Sequence, residues 1–140
     1  PLEHFAVDAG GDVYFAGRNP RGTAWSVGIR HPRDEHALLE TIAISDAAVC
    51  TSGDYSRVSR LQHASHHIVD PRTGAPANEI ASATVVAPTA MVADALATAA
   101  FALGPAKGVQ MLERVGVDGL LVSPLLERYA AKGVHGCCRP

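Results

Sequence analysis

Aromatic residues are scarce in this 140-residue chain: one Trp, three Tyr and three Phe. That leaves little surface on which nucleic-acid bases could stack. Neither sign of charge dominates. Twelve Lys and Arg against fourteen Asp and Glu give a formal net charge of −2, with no basic run to follow a phosphate backbone or an anionic membrane. Three cysteines, Cys50, Cys137 and Cys138, are too few for a disulfide framework. The adjacent pair reads as a tail feature and Cys50 as a small core residue. No secretory signal and no apolar run of roughly 18 residues is visible, so the chain is expected to be soluble as it stands. It opens on Pro1 rather than Met, and is therefore expected to be a fragment or a processed piece.

What is present suits one globular domain spanning residues 1–140. The apolar fraction is 47 % and the charged fraction 19 %, at a length that can bury a sizeable core. Phe5 to Ala16 reads as strand, broken by a Gly10-Gly11 turn. Thr23–Pro32 alternates as a second strand, with Gly17–Gly22 as a surface hairpin loop before it. Leu38–Gly53 reads as a third strand ending in a Thr51-Ser52-Gly53 turn, and the three together suggest an antiparallel meander. His66–Val69 suggests a short strand, and Glu79–Pro88 a strong one. The period then changes. Thr89 caps a helix over Ala90–Leu103, stopped by Gly104-Pro105, with Val92, Leu96, Ala99 and Leu103 as its core stripe. A second helix over Pro105–Gly116, a strand over Val117–Ser123 and a short last helix over Pro124–Gly133 complete the chain. The expected fold class is α+β, a mostly antiparallel sheet with helices packed on it.

Two constellations could carry chemistry. Asp94 and Thr98 stand four apart, on one helix face placed opposite the expected core stripe. A carboxylate and a hydroxyl among alanines are oxygen donors of the kind Mg2+ prefers. The alternative is a solvated Asp94 with Thr98 bonded back to its own turn. The second constellation lies in HASHHIVDPRTGAP, residues 63–76, where three of the seven histidines fall within five residues. His63 and His67 have the i,i+4 spacing of a helical zinc pair. The β-branched Ile68-Val69 and the Asp70-Pro71 turn favour an extended chain instead, in which His66 and His67 face opposite ways. A single histidine acting as general base and a polar strand end both fit these residues. Asp70–Gly74 is a strong turn, and its Arg72 could meet a phosphate. Thr51-Ser52-Gly53-Asp54 is a small-residue loop that could line a nucleotide. Gly10-Gly11-Asp12 reads as a tight β-turn. His31, His36 and His135 read as solvated.

Five stretches in order, AGGDVYFAG (9–17), WSVGIRHP (25–32), VCTSGDYSR (49–57), HHIVDPRTGAP (66–76) and ADALATAAFALG (93–104), resemble the C-terminal half of the FAD:protein FMN transferases, the ApbE-like flavin transferases. The resemblance covers residues from about 5 to 122. It implies Mg2+-dependent transfer of the FMN part of FAD to a threonine of a target protein, with release of AMP. On it, Asp94 and Thr98 match magnesium ligands, and His67 matches the base that deprotonates the acceptor threonine. Ile68 falls at a flavin-contacting position, and Thr51, Ser52 and Gly53 match a loop near the active site. No role is carried onto His66. The N-terminal half of the family fold, with its LDLGGIAKG-like segment, has no match here, so a second chain completing the pocket is one expectation. A non-catalytic flavin-binding or assembly module and an FAD pyrophosphatase are the alternatives. Relatives often work outside the bacterial cytoplasm, periplasmic or membrane-anchored, and the resemblance leaves the compartment open.

Overall fold

In the computed structural model, residues 2–55 and 67–133 are described. Its centre is the strand Ser82–Ala87, in which all six residues are buried. A strand with no polar-out alternation must be covered on both faces, and this one is. A six-stranded antiparallel sheet runs in the order β1-β2-β5-β6-β7-β8: β1 Phe5–Asp8, β2 Val13–Ala16, β5 Ala47–Gly53, β6 Ser82–Ala87, β7 Asp118–Val122 and β8 Arg128–Ala131. On one face lie the helices α1 (Ala90–Leu103) and α2 (Pro105–Val115). On the other lies a two-stranded hairpin, β3 (Trp25–His31) and β4 (Asp34–Ile44).

Alternation along the strands sorts the side chains into two cores. Ala48 and Cys50 of β5, Ala83 and Val85 of β6, and Leu121 of β7 turn toward the helices. Ala47, Val49, Val86, Leu120 and Val122 turn toward Ile29, Ile42 and Ile44 of the hairpin. The mostly antiparallel α+β class expected from the sequence is the class observed.

Four local expectations are corrected. The long third strand is two strands in different layers, β4 and β5, separated by Ser45-Asp46. Asp46 takes a left-handed φ of 53°, and its carboxylate accepts a hydrogen bond from the Gly17 N–H at 2.8 Å. The three expected strands are thus no simple meander, since β2 pairs with β5 and the β3–β4 hairpin is an excursion between them. Nor is Gly17–Gly22 a hairpin loop: it carries the chain from the large sheet to the small one, and Asn19 bonds across it to Thr23 and Ala24. The expected last helix is instead a turn and a strand. Leu126 has a φ of 66°, Ser123 and Glu127 bond across the turn, and Arg128–Ala131 pairs with Gly119–Val122. Pairing on the sheet edge overrides the helix propensity of Leu, Glu and Ala there.

Helix α1 has the expected bounds, cap and stop. Thr89 Oγ1 accepts from the Val92 N–H, and Gly104 closes the helix with a φ of 79°. Its core stripe differs. Ala93, Ala97, Ala100 and Phe101 are fully buried, whereas Val92, Leu96, Ala99 and Leu103 are only half-buried. Small side chains form the contact because the helix lies close on β5 and β6. An Ala97→Leu substitution is expected to cost about 1–3 kcal/mol through overpacking. The exposed Ala95→Leu should stay within about 0.5 kcal/mol of the parent. Urea unfolding of both variants checks this, and equal midpoints would contradict the close contact.

Candidate active site

The alanine stripe of α1 fixes where Asp94 and Thr98 point. At about 100° per residue they sit on the flank of the buried face rather than opposite it. Both are exposed, and both line a cleft of about 560 Å³ at the end of β5. Ser52 stands on the helix side of β5 by the same alternation that buries Ala48 and Cys50 there. Its Oγ lies 2.9 Å from Thr98 Oγ1. Thr51 faces the other way, its hydroxyl 2.8 Å from that of Thr84 on β6. Thr51-Ser52-Gly53 is therefore the end of a strand, not a turn. Gly53 sits close under the Tyr55 ring, which would have to shift to admit a Cβ, since that Cβ would stand 2.6 Å from it.

His67 forms another part of the cleft wall and is exposed. Next to it Ile68 is buried in the helix-side core, and its carbonyl accepts from the Ala77 N–H at 3.1 Å. In place of the expected short strand, Val69 makes a single antiparallel bridge to Pro76. His63 and His66, the other members of the histidine cluster, lie outside the described residues, as do His135, Cys137 and Cys138. His36 is solvated as expected, whereas His31 is half-buried and its Nδ1 accepts from the Arg33 N–H at 3.2 Å.

The Gly10-Gly11-Asp12 turn adds a carboxylate to the cleft. Asp12 follows Gly10 and Gly11, whose φ values of 78° and 105° turn β1 into β2. The register of β2 on β5, Val13 against Val49, brings Asp12 up beside Cys50. Burial, then the neighbouring Asp12 carboxylate, push the Cys50 thiol up to about 12, with a smaller push from Asp94. Cys50 is thus a neutral packing residue, its Sγ 3.5 Å from the Ala90 carbonyl oxygen. Only the pairing register could have signalled Asp12, because it is far from Asp94 in sequence.

The turn after Ile68 is built as the sequence suggests, and its arginine pairs within it. Asp70 accepts from the Arg72 backbone N–H at 2.9 Å, and the Arg72 guanidinium grips the same carboxylate at 2.9 and 2.7 Å. Gly74, with a φ of 71°, donates its N–H to the Asp70 carbonyl at 2.8 Å. Arg72 braces the turn through its Nε and Nη2.

Chemically the cleft offers oxygen. Asp94 and Thr98 supply a carboxylate and a hydroxyl one helical turn apart, and Asp12 lines the same cleft. Among the described residues no group of three or more His, Cys, Asp or Glu is arranged to hold a metal ion. Carboxylate and hydroxyl oxygens are the donor types that hard cations take.

The same α+β fold is found in flavin transferases of known structure. The chain resembles the ApbE protein of Thermotoga maritima with a TM-score of 0.82 at 35 % identity, over 91 % of this chain and 42 % of that one. It resembles the flavin transferase ApbE of Vibrio cholerae with a TM-score of 0.77 at 33 % identity, over 92 % of this chain and 42 % of that one. Among curated proteins, the FAD:protein FMN transferase of Escherichia coli K12 is 35 % identical over 125 residues, 87 % of this chain and 36 % of the relative. That of Treponema pallidum is 37 % identical over 147 residues, 95 % of this chain and 40 % of the relative. The family model named ApbE family matches residues 1–121. The chain belongs to the ApbE family, and it spans well under half the length of these curated relatives.

The Asp70–Arg72 pair sets a pH dependence. The Arg72 guanidinium and backbone N–H hold the Asp70 carboxyl down at about 2. A depressed carboxylate braces the turn above its ordinary value and loses that brace as pH falls toward the lowered one. Carboxyl-carbon NMR should place the Asp70 midpoint near about 2, rising toward the ordinary 3.8 in Arg72→Ala. An unchanged midpoint in that variant would remove the arginine as the cause.

Proposed function

We propose that this chain supplies the acid, hydroxyl and imidazole of an FAD:protein FMN transferase site, moving FMN from FAD to a threonine of a target protein with release of AMP. The observation that carries this reading is the convergence of Asp94, Thr98, Ser52 and His67 on one cleft. Membership of the ApbE family supports it, as do relatives named FAD:protein FMN transferase. Asp94 and Thr98 are the residues that would hold Mg2+. When bound, the ion would neutralise charge on the pyrophosphate oxygens of FAD. Two protein donors imply further ligands from phosphate, water or another polypeptide segment, and a second chain is one source of these.

The reaction exchanges one P–O bond for another. The threonine Oγ attacks the phosphorus of the FMN half, and the bond from that phosphorus to the bridging oxygen breaks. AMP leaves with that oxygen and its electron pair. A threonine hydroxyl is a weak nucleophile until its proton is removed. His67 takes that proton through the imidazole it presents to the cleft. Ile68, Thr51, Ser52 and Gly53 border the flavin-contacting region, with Ile68 setting the cleft floor from the core. Residues 1–140 act as one domain in this reading.

The test combines FAD, Mg2+ and a threonine-bearing acceptor protein with the chain, and follows FMN addition by mass spectrometry and AMP by chromatography. His67→Ala is expected to cut transfer by roughly two orders of magnitude or more while FAD binding is largely kept. Asp94→Ala should abolish both the activity and its Mg2+ dependence. FMN and AMP appearing with no label on the acceptor would replace the reading with FAD pyrophosphatase, water taking the place of the threonine. Wild-type turnover in Asp94→Ala would end the cation assignment.

A further inference from the structure

A threonine inside a helix ordinarily returns its O–H to the carbonyl one turn back, which for Thr98 is that of Asp94. Here its Oγ1 is also met from another element. Ser52 Oγ, 46 positions away in the chain, lies 2.9 Å off, and either atom can be the donor. A hydroxyl that gives its lone pairs to a cation must send its proton elsewhere. Ser52 is placed to receive it. It is half-buried, and its backbone is fixed by pairing with Ala83 of β6. Its neighbour Thr51 is committed to Thr84 on the opposite face and cannot take over the task.

The geometry points to Ser52 as a positioning residue of the cation site: it accepts the Thr98 hydroxyl proton, pins the Thr98 rotamer and leaves the Thr98 lone pairs free beside Asp94. This inference rests on the reading of Asp94 and Thr98 as ligands of a divalent cation. Ser52 acts through Thr98 and tunes affinity without ligating the ion. Partners that orient a ligand in this way commonly change metal affinity by 10- to 100-fold.

Mn2+ alone is the probe, titrated into the full chain and followed by electron paramagnetic resonance. Ser52→Ala is expected to raise the Mn2+ dissociation constant by roughly tenfold or more. Ser52→Thr, which keeps the hydroxyl, should recover most of that loss. Adding Ser52→Ala to Thr98→Val should cost nothing beyond Thr98→Val, because the two residues act as a unit. Wild-type affinity in Ser52→Ala, or a double variant that loses the sum of the single effects, overturns the positioning role and leaves the cation reading intact. A wild-type chain that binds Mn2+ no better than Asp94→Ala overturns the cation reading, and the positioning role falls with it.

Discussion

The close seating of α1 on β5 and β6 is the contact on which the remaining structure depends. Ala93, Ala97 and Ala100 are fully buried in it, together with Phe101. A larger stripe would lift the helix away from the strands, and Thr98 would no longer reach Ser52. The hydrophobic contact therefore does two things. It contributes to the helix-side core, and it sets the distance across which two short hydroxyls can touch. Short side chains reach only a few bonds, so a site built from Ser, Thr and Asp needs its backbones near one another. The burial of alanine and the chemistry of the cleft have one geometric cause.

Much of this was legible in local code. The cap at Thr89, the stop at Gly104-Pro105, the turn at Gly10-Gly11 and the Asp70–Gly74 turn each depend on residues a few positions apart, and each is found where the sequence suggests. The face of α1 was not legible, because Val92 and Leu96 are more apolar than Ala93 and Ala97, and pattern alone favours the larger residues. How near a helix sits to a sheet is a tertiary quantity. Asp12 and the split between β4 and β5 were hidden for a related reason: each depends on which strand pairs with which. The Arg72–Asp70 pair is local in the same way as the caps, formed two residues apart within one turn. Of the candidate site, Asp94, Thr98 and His67 were picked out by a family resemblance and are drawn into one cleft by the fold.

The layered arrangement also explains the electrostatic quiet around Cys50. A thiol under a helix, beside Asp12 and within the field of Asp94, stays protonated. A neutral sulfur there neither competes for a hard cation nor adds to the negative charge already facing the cleft. The hairpin on the other side of the sheet is tied to the same strand, since Arg33 grips Asp54 just beyond Gly53 at 2.6 Å. The end of β5 is thus held from the helix side by Ser52 and from the hairpin side by Asp54.

The two-residue corner at Ser45-Asp46 joins β4 to β5 without slack, and a strand shows alternate faces to alternate layers. The site is accordingly quantised in chain length. One residue gained or lost between Asp46 and Ser52 would present Thr51 or Gly53 to the helix instead, while composition and overall apolarity barely changed. Drift by substitution is open to this strand, but drift by insertion or deletion is closed to it.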